Sequence, residues 1–583
     1  MKLKVLFLLF ITFTSTHAQS WQWAKRGGGM TASNNPDQVE RVEQILTDTN
    51  NNVYVISRVY NVELDVDGVD KPYYGNPQYA ENDYVLASFA CDGTYRWSKI
   101  FGGNADENLR MTMDGQNNIY LTGRFGSCNV DYPPTIEGDM VIPQTAQAPD
   151  CRLFFLAKYN SNGVMQWFKR PELPTNYNYP NETFYYQGLE ADSAGNTYWC
   201  VYLRGSNYAN GYVNPDTTVS NQWRPVVFKY DTQGNFVSGT PMDMVLSPDF
   251  AFYLRFYRNP QNGNYYFTSN GEFLSTTNVA TLGGTTITGS FFVASYNPAG
   301  QKLWHQQDAA NAVATNFQSY DLAFDSDSNV YFSGYIFGTS SVSFMGFTRT
   351  AINPGQYVVK LNATGTNLLW ATETKCGGSF PGCSVAVHGN EVVYGGRCVG
   401  QNFAWGSQSI NINANVNEGY DPLLARFNKD TGACTSLVHL PGDVGYQDAA
   451  VAVAVDSSGD YLIGGSLGHY LYTGTGSILN VAGIETDFFV AKYAALPCSL
   501  ATDTSENTEA FKVYPNPAHD QLNIETQESF TYQISNLLGA KLQSGTLNTG
   551  TNTIQLDQLA TGYYVLTATN SNGKVFSKKI VKE

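Results

Sequence analysis

Asp325-Ser-Asp-Ser-Asn329-Val-Tyr-Phe-Ser-Gly334, then Tyr357-Val-Val-Lys-Leu361, then Thr364-Gly365 and Trp370, is the stretch that decides the fold. An Asp opens a turn because its carboxylate accepts backbone N–H bonds two residues on. The run from Asn329 is then an apolar strand, and the run from Tyr357 is another. A short Gly turn followed by a strand beginning at Trp370 completes a hairpin.

The same signals recur along the chain. The first strand returns at Asn52, Asn118, Asn196, Asn264, Asn329, Asn390 and Asp460, seven copies in all. Most follow an Asp, as at Asp48, Asp114, Asp192, Asp325 and Asp456. The second strand returns as Tyr84–Phe89, Phe154–Tyr159, Pro225–Tyr230, Phe291–Tyr296, Tyr357–Leu361, Pro422–Phe427 and Phe488–Tyr493. Six of these lead into Gly turns, at Gly93, Gly163, Gly234, Gly300, Gly365 and Gly432. Trp97, Trp167, Trp304 and Trp370 start returning strands.

The seventh hairpin lacks its Trp strand. The missing piece stands at the other end of the chain, where Trp23-Ala-Lys-Arg-Gly-Gly-Gly29 matches Trp97-Ser-Lys-Ile-Phe-Gly-Gly103. A ring of sheets is held shut when one blade is built from both chain ends. Seven units of about four strands therefore predict an all-β, seven-bladed β-propeller closed by the N-terminal strand. A β-helix or solenoid is the rival, but solenoids have shorter repeats and atypical capping ends. The pattern resembles the SBBP-type and related bacterial β-propeller repeats. The likeness covers residues 21–492 and speaks to fold, since propellers host many unrelated functions.

The bulk numbers set the compartment. Charged residues make up only 14% of the 583, and the formal net charge is −16, which disfavours nucleic acid and anionic lipid as partners. Lys2, Lys4, the apolar run Leu6–Phe13 and Thr16-His17-Ala18 read as a secretory signal peptide cut between Ala18 and Gln19. No later run approaches the roughly 20 apolar residues of a membrane-spanning helix. The nine cysteines all follow the signal, in a compartment that permits disulfides. Cys376 with Cys383 is close enough to staple one loop; Cys128 with Cys151, or Cys398 with Cys434, would bridge strands. The odd count leaves a free thiol, with Cys200 in an apolar strand as the candidate.

Composition shifts at Ala501, where a polar linker begins. The expected boundaries are signal peptide 1–18, propeller 19–497, linker 498–510 and a small antiparallel β-sandwich over 511–583. The tail carries Pro515-Asn516-Pro517, Asp520, Leu522, Ile524, Leu538-Gly539, Gly562-Tyr563-Tyr564 and the basic end Lys578-Lys579. It closely resembles the type A C-terminal sorting domain of the type IX secretion system. The resemblance implies a Gram-negative bacterium of the Bacteroidota type. It implies export through an outer-membrane translocon with its shuttle, and cleavage by a surface sortase. The product would then be released or attached to lipopolysaccharide, so the expected location is extracellular or on the outer-membrane surface.

Candidate chemistry is sparse. Gly464-Gly465-Ser466-Leu467-Gly468 fits the nucleophile-elbow pattern, but that motif needs a strand-to-helix turn, and this segment occupies a blade-strand position. Asp65, Asp67 and Asp70 have the alternate spacing of a calcium loop, yet the downstream bidentate Glu is absent, and a solvated edge strand is the competing reading. Calcium is the one cofactor this spacing suggests. His305, His388, His439, His469 and His519 fall in different units with no i, i+4 pair, which reads as structural. No Walker, HExxH or dinucleotide motif occurs. Aromatic crowding at Tyr73, Tyr74 and Tyr79, and at Tyr177, Tyr179, Tyr185 and Tyr186, suits stacking on sugars or packing of loops on the scaffold. The resulting expectation is a non-enzymatic binding or adhesion module that recognises glycan or protein. A polysaccharide-degrading enzyme and a structural component of a surface apparatus are the alternatives.

Overall fold

The computed structural model describes residues 18–30, 39–60, 62–72, 74, 82–103, 105–125, 132–142, 153–170, 185–203, 223–247, 254–269, 280–289, 291–308, 317–336, 341–350, 355–374, 383–400, 402–412, 419–443, 445–473, 478–480, 486–498, 511–536, 541–570 and 575–583. Every regular element among them is a β-strand. The chain divides into two compact units, Met1–Cys498 and Ser499–Glu583.

In the first unit, seven sheets have four or more strands among the described residues. Each contains a four-strand antiparallel meander. The meander of sheet 1 comprises Arg41–Thr47, Val53–Tyr60, Asn82–Phe89 and Tyr95–Gly102. Sheets 2 to 6 repeat it, beginning with Ala105–Met113, Tyr185–Ala191, Leu254–Arg258, Phe317–Phe324 and Ser384–His388. Sheet 7 takes Ala449–Val455, Tyr461–Leu467 and Asp487–Ala494 from the end of the unit. Its fourth strand is Ser20–Met30, which pairs antiparallel with Asp487–Ala494, Trp23 opposite Lys492. The N-terminal strand thus completes the last sheet, as the Trp23 match predicts.

The middle strands are apolar at nearly every position, because both faces are covered. In Val53–Tyr60, side chains alternate across the pleat. Val53 and Val55 join Leu462 and Val490 of sheet 7 in one core, while Tyr54 and Ile56 join Leu121 and Phe155 of sheet 2 in another. The same arrangement joins sheets 2 and 3, 3 and 4, 4 and 5, 5 and 6, and 6 and 7. Burying each Val, Leu or Ile contributes roughly 1.5–3 kcal/mol.

The Asp-to-Asn turns follow one plan. Asp114 Oδ1 accepts the N–H groups of Gln116 and Asn118, both at 2.9 Å. Its Oδ2 accepts Asn118 Nδ2 at 2.8 Å and the Tyr120 hydroxyl at 2.9 Å. Asp48 and Asp325 do the same with Asn52 and Tyr54, and with Asn329 and Tyr331. The Lys of the second sequence strand stands over this Tyr: Lys158 and Lys360 each lie 5.1 Å from the ring of Tyr120 or Tyr331. In sheet 7 the equivalent Lys492 makes a buried ion pair with Asp456 at 2.7 Å.

These turns also touch one another. Asn117 Nδ2 donates to Thr49 Oγ1 at 2.8 Å, Asn51 Nδ2 donates to Ser458 Oγ at 2.7 Å, and Gly115 N donates to Ser193 O at 3.3 Å. The short turns of sheets 7, 1, 2 and 3 therefore share one end of the first unit, and in a meander the longer connections leave from the other end.

The disulfide joins Cys91, in the first Gly turn, to Cys498, with 5.8 Å between Cα atoms. Cys498, assigned to the linker on sequence, thus belongs to the first unit. Cys200, Cys383, Cys398 and Cys434 are buried free thiols, so Cys398 does not bridge to Cys434. The short sequence spacing of these candidates did not decide the pairing. Cys376, Cys128 and Cys151 lie outside the described residues.

The second unit has a three-stranded sheet (Phe511–Tyr514, Gln521–Thr526, Gly550–Gln555) and a four-stranded sheet (Lys541–Leu547, Phe530–Asn536, Gly562–Asn570, Val575–Lys582). Leu522, Ile524 and Ile554 from one meet Ile534, Leu566 and Ile580 from the other in a single core.

Candidate functional site

Two polar constellations stand out in the first unit. The first is built where the chain passes from sheet 6 to sheet 7. Residues 441–443 and 445–447 lie on this passage, and Tyr446-Gln447 pairs in parallel with Gly419-Tyr420. The segment after Leu467 runs beside it, tied by Tyr472 N donating to Pro441 O at 2.9 Å. Asp443 lies between the two segments. Its Oδ2 meets His469 Nδ1 at 2.8 Å, and its Oδ1 accepts the Tyr472 hydroxyl. The Tyr472 bond, then the His469 contact, outweigh burial and hold the Asp443 carboxyl below its ordinary range. The Tyr446 ring stacks on His469 at 4.6 Å, Tyr470 meets the His469 edge at 4.1 Å, and Tyr470 and Tyr472 lie nearly parallel at 6.3 Å. Tyr472 is 38% exposed, and Asp443 and His469 keep 30% and 28% of their side-chain surface. The result is a partly exposed aromatic surface with a carboxylate set into it.

Behind it stand two more carboxyl groups. Asp421 Oδ2 meets His439 Nδ1 at 2.7 Å, and its Oδ1 accepts Gly442 N at 3.0 Å. Asp448 is fully buried; its Oδ1 accepts Gly468 N, while its Oδ2 has no hydrogen-bond partner among the described residues. Burial, with Asp421 and Asp443 nearby, pushes the Asp448 carboxyl up to about 8 against the pull of the Gly468 N–H.

The second constellation gathers on the first strands of the sheets. A bulge between Val42 and Gln44 sets Glu43 apart from the ladder, a device that re-aims side chains. Arg41 Nε lies 2.8 Å from Glu43 Oε1. Burial raises Glu43, but Arg41, Arg110 and Arg58 outweigh it and hold the carboxyl below its usual range. Arg255 of sheet 4 lies within electrostatic reach of Glu43 of sheet 1 and of Asp321 of sheet 5. Asp321 accepts Ser384 Oγ of sheet 6 at 2.5 Å. Burial raises both Asp321 and Glu190, the latter to about 8 although Arg258 opposes it.

The residues singled out on sequence are placed as follows. Asp65 and Asp70 pair across a tight hairpin whose turn is Asp67-Gly68, both with positive φ. Asp65 lies 3.0 Å from Arg26, and Asp67 lies 2.9 Å from Lys25. The N-terminal strand thus neutralises Asp65 and Asp67, and among the described residues no three His, Cys, Asp or Glu side chains converge as a metal set. Ser466 is a buried strand residue opposite Ala449 and Phe488. Tyr74 packs with the core between sheets 7 and 1. Tyr73, Tyr79, Tyr177 and Tyr179, and residues 1–17, lie outside the described residues; Ala18 and Gln19 precede the first strand. Sequence reading treated His439 and His469 as isolated, and the structure gives each an Asp. The only local signal was aromatic density around them, Tyr446, Tyr470 and Tyr472.

In the tail, Asn516 locks the Pro-Asn-Pro segment to the final strand: its Nδ2 donates to Lys579 O at 2.7 Å and its Oδ1 accepts Val581 N at 2.8 Å. Asp520 lies 3.3 Å from Lys582, and the Tyr564 hydroxyl donates to Ala560 O at 2.6 Å. Lys578 stands over Phe511 and Lys579 over Tyr563. Gly562 opens the strand that carries Tyr564; Gly539 lies outside the described residues. Residues 512–583 match the secretion system C-terminal sorting domain family. This tail marks a protein exported by the type IX route, secreted or held at the cell surface, and it suits engagement with that machinery. Among the described residues no helix is long and apolar enough to cross a membrane.

No curated protein matches the chain. Solved structures to which it is similar include a quinohemoprotein alcohol dehydrogenase from Comamonas testosteroni, 12% identical over 87% of this chain and 79% of that one, with a TM-score of 0.30. The extracellular domains of a hybrid two-component system and of a one-component system from B. thetaiotaomicron are 10% and 9% identical. Each covers 96% of this chain and 99% of that one, with TM-scores of 0.14 and 0.15.

Proposed function

We propose that residues 19–498 form a seven-bladed β-propeller, closed by the N-terminal strand, which serves as a secreted or surface-attached glycan-recognition module. Seven inter-sheet cores, each shared by consecutive sheets and including one between sheets 7 and 1, support the ring. The tail, with Pro515, Asn516, Pro517, Asp520, Gly539, Gly562, Tyr564, Lys578 and Lys579, addresses the chain to the type IX translocon, shuttle and sortase. Release or attachment to lipopolysaccharide follows cleavage in the linker.

The observation that carries recognition is the surface of Tyr446, His469, Tyr470 and Tyr472 around Asp443. Aromatic faces take up the apolar face of a sugar ring, and a carboxylate accepts its hydroxyls. The test is retention of the mature chain on insoluble polysaccharides and host glycoproteins. Specific retention on a glycan, reduced by Tyr472→Ala, supports the reading; retention on protein alone, or none at all, overturns it.

A polysaccharide-degrading enzyme is the second reading, favoured by the convergence of Glu43, Asp321, Tyr257 and arginines on the first strands. Release of new reducing ends or unsaturated products from the same panel would select it.

A further inference from the structure

The first strands collect arginines that the aromatic surface does not use. Arg41 comes from the first strand of sheet 1, Arg110 from that of sheet 2, and Arg255 and Arg258 from that of sheet 4; Arg58 joins them from the second strand of sheet 1. Glu43, Glu190 and Asp321 come from sheets 1, 3 and 5. Glu43 is within electrostatic reach of Arg41, Arg58, Arg110 and Arg255, and Asp321 is within reach of Arg255 and Glu190. Tyr257 adjoins Arg255, Arg110 and Asp321, and its hydroxyl points to Tyr320 O at 3.5 Å. Arg255 stands 5.8 Å over the Tyr320 ring. Arg41 and Glu43 keep 23% and 13% of their side-chain surface, so solvent reaches the cluster.

The charge count is unbalanced. Among the described residues five guanidinium groups stand against four carboxyls, Asp192 beside Arg258 included, and Glu190, raised to about 8, is largely protonated at neutral pH. A cationic centre in a chain of net charge −16 attracts anions against the surrounding field. Guanidinium forks match carboxylates in bidentate geometry. The centre is not purely cationic, however. Glu43 and Asp321 would repel a run of closely spaced carboxylates, whereas they accept hydrogen bonds from hydroxyls. The tyrosine rings offer faces for stacking.

We propose that this cluster is a second ligand site, separate from the Asp443 surface, which binds a uronate-bearing oligosaccharide. Arg110 and Arg255 take its carboxylates, Glu43 and Asp321 its hydroxyls. Its chemistry alternates as such a ligand alternates, carboxylate with hydroxyl.

The experiment is calorimetric titration of the full mature chain with tetragalacturonate, its carboxyl-reduced neutral counterpart and hexaglutamate. Tetragalacturonate binds, the neutral saccharide does not, and Arg110→Gln and Arg255→Gln each weaken binding about tenfold or more. Polysaccharide retention that falls with Tyr472→Ala reports the aromatic surface, and tetragalacturonate affinity that falls with the Arg variants reports this cluster, so failure of one is distinguishable from failure of the other. If the Gln variants melt early, Arg255→Lys keeps the charge and loses the fork, and an intermediate affinity is expected. Absence of tetragalacturonate binding, equal binding by folded Gln variants, or hexaglutamate bound as tightly as the saccharide would each overturn the proposal.

Discussion

The indole of Trp97 lies flat against Gly163, one sheet further along the chain: a Cβ at Gly163 would stand 2.6 Å from Trp97 Cδ2. The Trp97 Nε1 also donates to Ser161 O at 3.1 Å. Trp23 on Gly93, Trp167 on Gly234, Trp304 on Gly365 and Trp370 on Gly432 repeat the contact. The periodic Trp and the periodic Gly are thus two halves of one clasp between neighbouring sheets. Gly346, also at positive φ, has nothing within 4 Å of its Cβ position. Gly346→Ala should cost about 1 kcal/mol for conformation alone. Gly163→Ala should cost roughly 1–3 kcal/mol more, because the indole must move. Denaturant melts of the two variants check the difference; equal losses would rule out the clasp.

The Cys91–Cys498 bond closes a loop of 407 residues. Cross-links across long loops restrict the unfolded chain most. Cys498→Ser should therefore lower stability by about 2–5 kcal/mol, measured with the thiol-free double variant Cys91→Ser/Cys498→Ser as control. A fragment ending at residue 497 should behave like the variant. An unchanged melt would show that strand pairing alone secures the chain ends.

Asp448 makes stability depend on pH. Its folded carboxyl, at about 8, holds a proton that the unfolded chain, near the ordinary 3.8, has released. Between about pH 4 and 8 the folded state therefore binds more protons, and raising the pH favours unfolding. Asp448→Asn removes the titration while keeping an acceptor for Gly468 N. Its melting temperature should rise relative to the parent as pH goes from 5 to 8, by the equivalent of roughly 1–3 kcal/mol. A difference that stays flat with pH would contradict the assignment.

Much of the fold was legible because its devices are local and repeated. Asp114, Asn118 and Tyr120 serve one turn, and Trp97 and Gly163 one clasp, so each leaves a periodic mark. Cys91–Cys498 left none, since only the folded path brings residues 407 apart together. The strands that open each sheet were not located on sequence either. Arg41-Val-Glu-Gln-Ile and Leu254-Arg-Phe-Tyr-Arg share a position and no motif, because beside core residues such as Val42 and Phe256 they carry charged residues whose partners stand on other sheets. The Asp443–His469 pairing left no mark because its members lie 26 residues apart, one on the passage between sheets 6 and 7 and the other on the segment after Leu467.

The most direct test of glycan recognition compares wild type, Tyr472→Ala and Asp443→Asn for affinity toward the polysaccharide best retained by the mature chain. Tyr472 is exposed and Asp443 partly so, so both variants should fold. Each should bind about tenfold or more weakly, at unchanged melting temperature. Equal affinity across the three proteins would contradict the account and move recognition away from this surface.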